Sequence, residues 1–300
     1  MNKIMELTDI TKKYKEKMVL DNLSLSIYQQ QIAALVGSNG SGKSTLLKIT
    51  AGLVKADHGA INKLIHPLKI GYVPEVTPAD LPFTPEEYLM HMGTIRGMDK
   101  QLLKNRIEML VHTFQLQSNI HIKMSRFSKG MKQKMMIMQA MLEETDLLIL
   151  DEPLSGLDPK AQMDLEKLLL TLKEQGLSIL LTCHETKLLE NAVDRVLFLQ
   201  NHQVIDSTLS TDTIQKVNKL IFEIPARQTF EELLSSMKII QKVHLTPMII
   251  RVEAVVNEEA TDDLIRQLLV KQVSIKQLLP INEAKEAFYQ GFFKQGDEKL

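Results

Sequence analysis

Eight residues constrain this chain more than any others: Gly37-Ser38-Asn39-Gly40-Ser41-Gly42-Lys43-Ser44, followed by Thr45. Their spacing is G-x-x-x-x-G-K-[ST]. The apolar run Ile32–Val36 before them reads as a buried strand, and Ser44–Ala51 after them opens a helix. Glycines in such a turn let successive backbone N–H groups point inward. The following helix adds the positive end of its dipole. A concavity of that kind takes phosphate oxygens, with Lys43 placed to reach the β- and γ-phosphates and Ser44 to offer a hydroxyl to Mg²⁺. A chance match in a glycine-bearing turn is the competing reading, and the strand before and helix after weigh against it. The loop predicts a nucleotide site.

A second segment points the same way. Leu147-Leu148-Ile149-Leu150-Asp151-Glu152-Pro153 is an apolar strand ending in two carboxylates. Ligands of open α/β sheets sit at the carboxyl ends of the strands, so this tip can face the phosphate loop. Asp151 is placed to hold Mg²⁺, and Glu152 to orient and deprotonate an attacking water. Alone, the pattern is as well explained by an ordinary turn. Beside a phosphate loop it is not.

Composition bounds the partners. Thirty-six basic residues against 37 acidic leave a net charge of −1. That balance argues against a nucleic-acid binder, whose affinity rests on clustered Lys and Arg. The single cysteine, Cys183, excludes an internal disulfide and fits a reducing compartment. No stretch approaches the roughly 20 consecutive apolar residues of a membrane helix, and Met1-Asn2-Lys3-Ile4-Met5-Glu6 lacks the apolar core of a signal peptide. The expectation is a cytoplasmic protein that reaches any membrane by docking.

Along residues 1–215, short apolar strands alternate with helical patterns, which predicts an α/β domain with a largely parallel sheet. Ile32–Val36, Leu147–Leu150 and Ser178–Thr182 are its clearest buried strands. About 75–142 the spacing turns helical, which reads as an inserted helical subdomain. A polar stretch near Asp206–Val217 reads as a linker. Residues 216–300 then read as a small α+β domain. Strands are expected at Leu220–Ile224, Ile239–His244, Met248–Val255 and Val273–Leu279, with helices at Phe230–Met237, Glu258–Val270 and Glu283–Phe293. That is the element order of a ferredoxin-like unit.

With those segments in place, residues 1–215 resemble the ABC ATPase family of P-loop NTPases. Phe127-Ser128-Lys129-Gly130-Met131-Lys132-Gln133 looks like the signature segment, and Leu154-Ser155-Gly156-Leu157-Asp158 like the D-loop. His184 falls at the family's switch histidine and Tyr14 where an aromatic ring stacks on adenine. The resemblance implies that two copies pair head to tail, as a homodimer or with a second ATPase subunit. Each ATP then lies between one phosphate loop and the other copy's Ser128 and Gly130. It further implies that His184 bonds the γ-phosphate and that Asp158 links the two sites.

Two positions depart from the family pattern. Glu75 stands where a glutamine is usual, and its carboxylate can still reach Mg²⁺; Lys129 replaces the first signature glycine. Both resemble the variant of exporter-type ATPases with separate membrane subunits. Other residues carry plainer readings: Tyr14 as a strand-end tyrosine, His184 as a surface histidine, and Met131, Met135, Met136, Met138 and Met141 as helix core packing. The implied partner is an integral membrane subunit, received near Glu75–Gly97, where Leu81, Phe83, Tyr88, Leu89 and Met92 offer an apolar surface, with packing of the subdomain an equal alternative for each of these residues. The expected function is ATP hydrolysis driving transport, with export of a peptide, drug or lipid-like cargo. A soluble ABC ATPase acting on ribosomes or DNA is the alternative, and a small-molecule kinase is a remote third.

Overall fold

The computed structural model describes residues 2–76, 78, 81–183, 186–206, 217–225, 237–271 and 273–281. The chain divides into two compact units, one built on Met1–Thr208 and one on Leu209–Lys294.

The first unit contains two sheets. Strands β1 (Lys3–Tyr14), β2 (Lys17–Tyr28) and β4 (His58–Lys63) form an antiparallel sheet in the order β2-β1-β4. The strands β3 (Ile32–Val36), β5 (Ile70–Val73), β6 (Leu147–Leu150), β7 (Ser178–Thr182), β8 (Arg195–Gln200) and β9 (Gln203–Asp206) form the other, ordered β5-β6-β7-β3-β8-β9. All its pairings are parallel except that of β9 with β8. The sequence-predicted strands β3, β6 and β7 match residue for residue, and every residue in them is buried. Continuous apolar runs are what a strand covered on both faces requires. One apolar cluster joins Leu7, Leu20 and Leu25 of the antiparallel sheet to Leu35, Leu147, Leu180 and Leu197 of the parallel one and to Leu46 and Leu47 of α1 (Lys43–Thr50).

The remaining helices of this unit are α2 (Pro85–Ile95), α3 (Lys100–Thr113), α4 (Lys129–Ala140), α5 (Pro159–Glu174) and α6 (Thr186–Asn191). Among the described residues between β5 and β6 there are helices, turns and loops and no strand. Thr84 and Glu87 close a capping box on α2, while Asp99, Ser128 and Asp158 accept first-turn N–H groups of α3, α4 and α5. Met135, Met136 and Met138 of α4, and Met141 just after it, are buried as the plainer reading holds, while Met131 is half-buried.

The second unit contains β10 (Val217–Pro225), β11 (Lys238–Thr246), β12 (Ile249–Asn257), α7 (Glu258–Val270) and β13 (Ser274–Ile281). Its sheet runs β11-β12-β10-β13 with every pairing antiparallel. Leu220, Phe222, Val252, Ala254, Leu264 and Leu268 form its core. The expected helix Glu283–Phe293, nearly all of the expected helix Phe230–Met237 and the linker residues 207–216 lie outside the described residues.

Candidate functional site

The site grows from the carboxyl end of β3. There the chain leaves the sheet at Gly37, turns through Gly40 and Gly42, and enters α1 at Lys43. Gly42 has φ 109°, and a Cβ there would lie 2.8 Å from Val19 Cγ1, so both backbone and space require glycine. Unlike α2 to α5, α1 begins without a side-chain cap. Its first N–H groups therefore remain available to an anion, which is what a phosphate cradle needs.

Lys43 is only 7% exposed. Its ammonium donates to the carbonyls of Gly37 and Ser38 at 2.8 and 3.2 Å. Burial pushes its pKa below the usual lysine value, and the carboxylates of Glu152, Asp151 and Glu75 and the thiol of Cys183 pull it back up. The cation is thus stored inside the loop, close to the acids that favour its charge.

Strand β6 delivers those acids. Asp151, 3% exposed, accepts from Ser44 Oγ at 3.2 Å and from Thr182 Oγ1 at 2.9 Å on Oδ1, and from the Tyr72 hydroxyl at 3.4 Å on Oδ2. Burial first, and the negative charge of Asp151 second, push the Tyr72 phenol up to about 12, so it stays protonated and able to donate. Glu152 takes φ 48° and its N–H donates to Thr182 Oγ1 at 2.7 Å.

Tyr14, Asn39, Gly40, Gly42, Lys43, Ser44, Thr45, Glu75 and Glu152 all line one cavity of about 620 Å³, together with Lys17, Val19 and Ser155. Gly37, Ser38 and Ser41 belong to the same loop, and Asp151 stands behind Ser44. Tyr14 is 48% exposed at the end of β1, with Lys12 Nζ 5.5 Å from its ring centroid. A flat ring open on the cavity suits a nucleobase.

The other family residues gather elsewhere. Ser128 caps α4, with its Oγ accepting from Met131 N–H at 3.3 Å, and Asp158 caps α5, accepting from Ala161 N–H at 2.9 Å. Gly130 sits where α4 meets α5: a Cβ there would lie 2.9 Å from Ala161 Cβ. The Lys129 ammonium lies against Gly156 of the D-loop, 2.4 Å from where a Cβ would stand. None of these residues lines the cavity. His184 lies outside the described residues. Tyr72 and Thr182 were missed by the sequence reading, although for Thr182 a polar residue ending a buried strand beside a ligand-bearing tip was the signal available.

The surface expected to receive a membrane partner needs correction. Tyr88 and Leu89 are buried, and the Tyr88 hydroxyl donates to Gln139 Oε1 at 2.6 Å, so both pack the helices rather than face a partner. Phe83 is exposed and sits edge-on to His91, with ring centroids 5.3 Å apart. Val76 and Ile95 are also exposed.

Among the described residues no group of three or more His, Cys, Asp or Glu side chains could hold a metal ion unaided. Ser44, Asp151 and the cavity-lining Glu75 nevertheless fit Mg²⁺, which binds through few protein oxygens together with substrate phosphates and water. Among the described residues no helix is long and apolar enough to cross a membrane.

Known proteins of similar sequence share this fold. Residues 20–155 match the family model described as ABC transporter. The Nod factor export ATP-binding protein I of Sinorhizobium fredii is 32% identical over 228 residues, which cover 70% of this chain and 66% of that one. The zinc import ATP-binding protein of Vibrio cholerae is 35% identical over 202 residues, covering 66% of this chain and 74% of that one. A solved structure of an ATP-binding subunit of an ABC transporter is 32% identical and superposes with a TM-score of 0.58 over 67% of this chain and 88% of its own.

Proposed function

This chain belongs to the ABC transporter ATP-binding proteins and is an ATPase of that family, and from that premise we propose that it drives export through a separate membrane subunit by closing on ATP as a dimer. Tyr14 stacks the adenine. The loop 37–45 holds the triphosphate through its backbone N–H groups, the uncapped start of α1 and Lys43. Ser44, Asp151 and Glu75 hold Mg²⁺, which when bound neutralises charge developing on the β- and γ-phosphates. Glu152 accepts a proton from the attacking water, and His184 helps fix that water.

The observation that carries the dimer is the separation of Ser128 and Gly130 from the cavity that Lys43 and Glu152 line. Ser128 and Gly130 do not line their own chain's cavity, which leaves the signature segment free to face the nucleotide of a second copy. Closure then depends on the γ-phosphate, and hydrolysis releases it, which is how a phosphate drives a two-state element. The exposed Phe83, Val76 and Ile95 offer the membrane subunit a place to dock on the cytoplasmic side. Export is supported by the Pro74-Glu75 variant and by the relative named for Nod factor export; a relative named for zinc import is comparably similar.

The test is to purify the tagged chain from its native cell in mild detergent and identify what accompanies it. A multi-helix membrane protein is the expected companion. Ribosomes or nucleic acid without one would overturn the transport reading while leaving the ATPase in place.

A further inference from the structure

The strand order β6-β7-β3 sets one residue between the acidic pair and the phosphate loop: Thr182, the last residue of β7. It is fully buried, at 0% exposure. A buried hydroxyl has to be hydrogen-bonded, and this one is bonded in both senses. Thr182 Oγ1 donates to Asp151 Oδ1 at 2.9 Å and accepts the Glu152 N–H at 2.7 Å. A hydroxyl carries one hydrogen. With that hydrogen given to Asp151, the oxygen is left to accept from Glu152, and the rotor is locked. Glu152 meanwhile holds φ 48°, a conformation that persists in an L-residue only where its surroundings over-determine it. The bond to Thr182 is one of those determinants.

We propose that Thr182 is a positioning residue for ATP hydrolysis, its one hydroxyl fixing the Asp151 carboxylate and the Glu152 backbone relative to each other. The inference rests on the reading of Asp151 as a metal ligand and Glu152 as the base. Ser44 lines the cavity and meets the nucleotide directly; Thr182 is enclosed behind it and hydrogen-bonds to both acids. Its part is to hold the geometry that the others use.

Packing and hydrogen bonding predict opposite orders of damage at this position. Thr182→Val keeps the volume and removes the hydroxyl; Thr182→Ser keeps the hydroxyl and leaves a methyl-sized gap. We expect Val to lower kcat about 10–100-fold, the usual effect of losing a group that orients a metal ligand. We also expect it to raise the Mg²⁺ concentration needed for half-maximal rate. KM for ATP, and binding of a fluorescent ATP analogue in EDTA, should hold. Thr182→Ser should restore most of the rate. Tyr72→Phe, which removes a longer 3.4 Å contact to the same carboxylate, should cost less than Val does.

Steady-state ATPase assays on the full chain read all of these. Near-native kcat in Thr182→Val, or a Ser variant as impaired as Val, overturns the inference. Should Val prevent folding, Thr182→Ala against Thr182→Ser makes the same comparison, with Ala inactive and Ser active expected and equal rates overturning. Glu152→Gln is run in parallel. Retained turnover there removes the underlying reading, whereas its loss beside an active Thr182→Val removes the positioning role alone.

Discussion

At the tip of the parallel sheet, Lys43 and Asp151 are 7% and 3% exposed and Glu152 stands at φ 48°. In the C-terminal sheet Glu223, 14% exposed, is paired with the more exposed Arg251 and Lys276. Glu223 accepts from Arg251 at 2.7 Å and pairs with Lys276 at 3.2 Å, above a core of Leu220, Phe222, Val252 and Leu268. Both regions are made of short apolar strands, but among the described residues the first buries its charges more deeply and holds Glu152 at positive φ. Proteins break local rules where function compensates for the cost. The contrast fits the chemistry proposed at β3, β6 and β7 and a structural part for the C-terminal unit. Mutations in the two regions should separate rate from stability.

The largest separation is expected at Glu152. Glu152→Gln removes a positioned base at nearly constant volume and should lower hydrolysis about 10²–10⁴-fold. ATP binding, read by equilibrium titration, should persist. Near-native turnover would take Glu152 out of its role and erase the contrast at its strongest point.

Lys43→Ala should act differently within the same region. It deletes the cation that the loop carbonyls of Gly37 and Ser38 store, so both binding and hydrolysis should fall. Losing charge-assisted hydrogen bonds should weaken ATP binding about tenfold to a hundredfold. Unchanged affinity in the titration would mean that the cradle holds phosphate through backbone alone.

Phe222→Ala tests the other side. Phe222 is fully buried in β10, and emptying such a site costs about 3–5 kcal/mol. Amide hydrogen exchange in β10 and β12 should speed up accordingly, while kcat of the full chain stays near native. A parallel fall in kcat would show that the C-terminal unit is energetically tied to the ATPase, and the contrast would need redrawing.

How far these regions could be read in advance follows the same divide. Strands β3, β6 and β7 are buried on both faces, and their unbroken apolar runs made them legible to the residue. The antiparallel sheet was not separated into strands, because its pairing register shifts between Leu7 and Ile10 and again before Lys12, and Asp9 and Asn22 take positive φ. Such bulges interrupt the alternation that identifies a strand. Among the site residues, those with a fixed spacing were found, from Gly37 to Thr45 and at Asp151 and Glu152. Thr182 and Tyr72 were not, since their part arises from the neighbour order β5-β6-β7-β3, which no local pattern carries. Tyr88 and Leu89 stayed open between packing and docking, because an apolar helix face looks alike whether it meets its own subdomain or a partner.

The smallest effect, and the finest test, is expected at Glu223. Hydrogen bonding to Arg251, then to Lys276, holds its carboxyl below the usual glutamate value. A carboxylate whose folded pKa is depressed adds stability that is present above its unfolded pKa and is lost as pH falls through the folded one. For Glu223 that window opens near the ordinary value of 4.5 and extends below it. Glu223→Gln should therefore flatten the acid side of the stability profile of the second unit, read again by exchange in β10 and β12, and leave ATP hydrolysis at neutral pH untouched. Its partners Arg251 and Lys276 are 41% and 43% exposed, so raising the salt concentration should shrink the wild-type dependence toward that of the variant, because exposed charges are screened. A pH profile that Glu223→Gln leaves unchanged would mean that the pairs with Arg251 and Lys276 add nothing to folding. A change in ATPase rate would mean something else: that a charge on the C-terminal sheet reaches the nucleotide site.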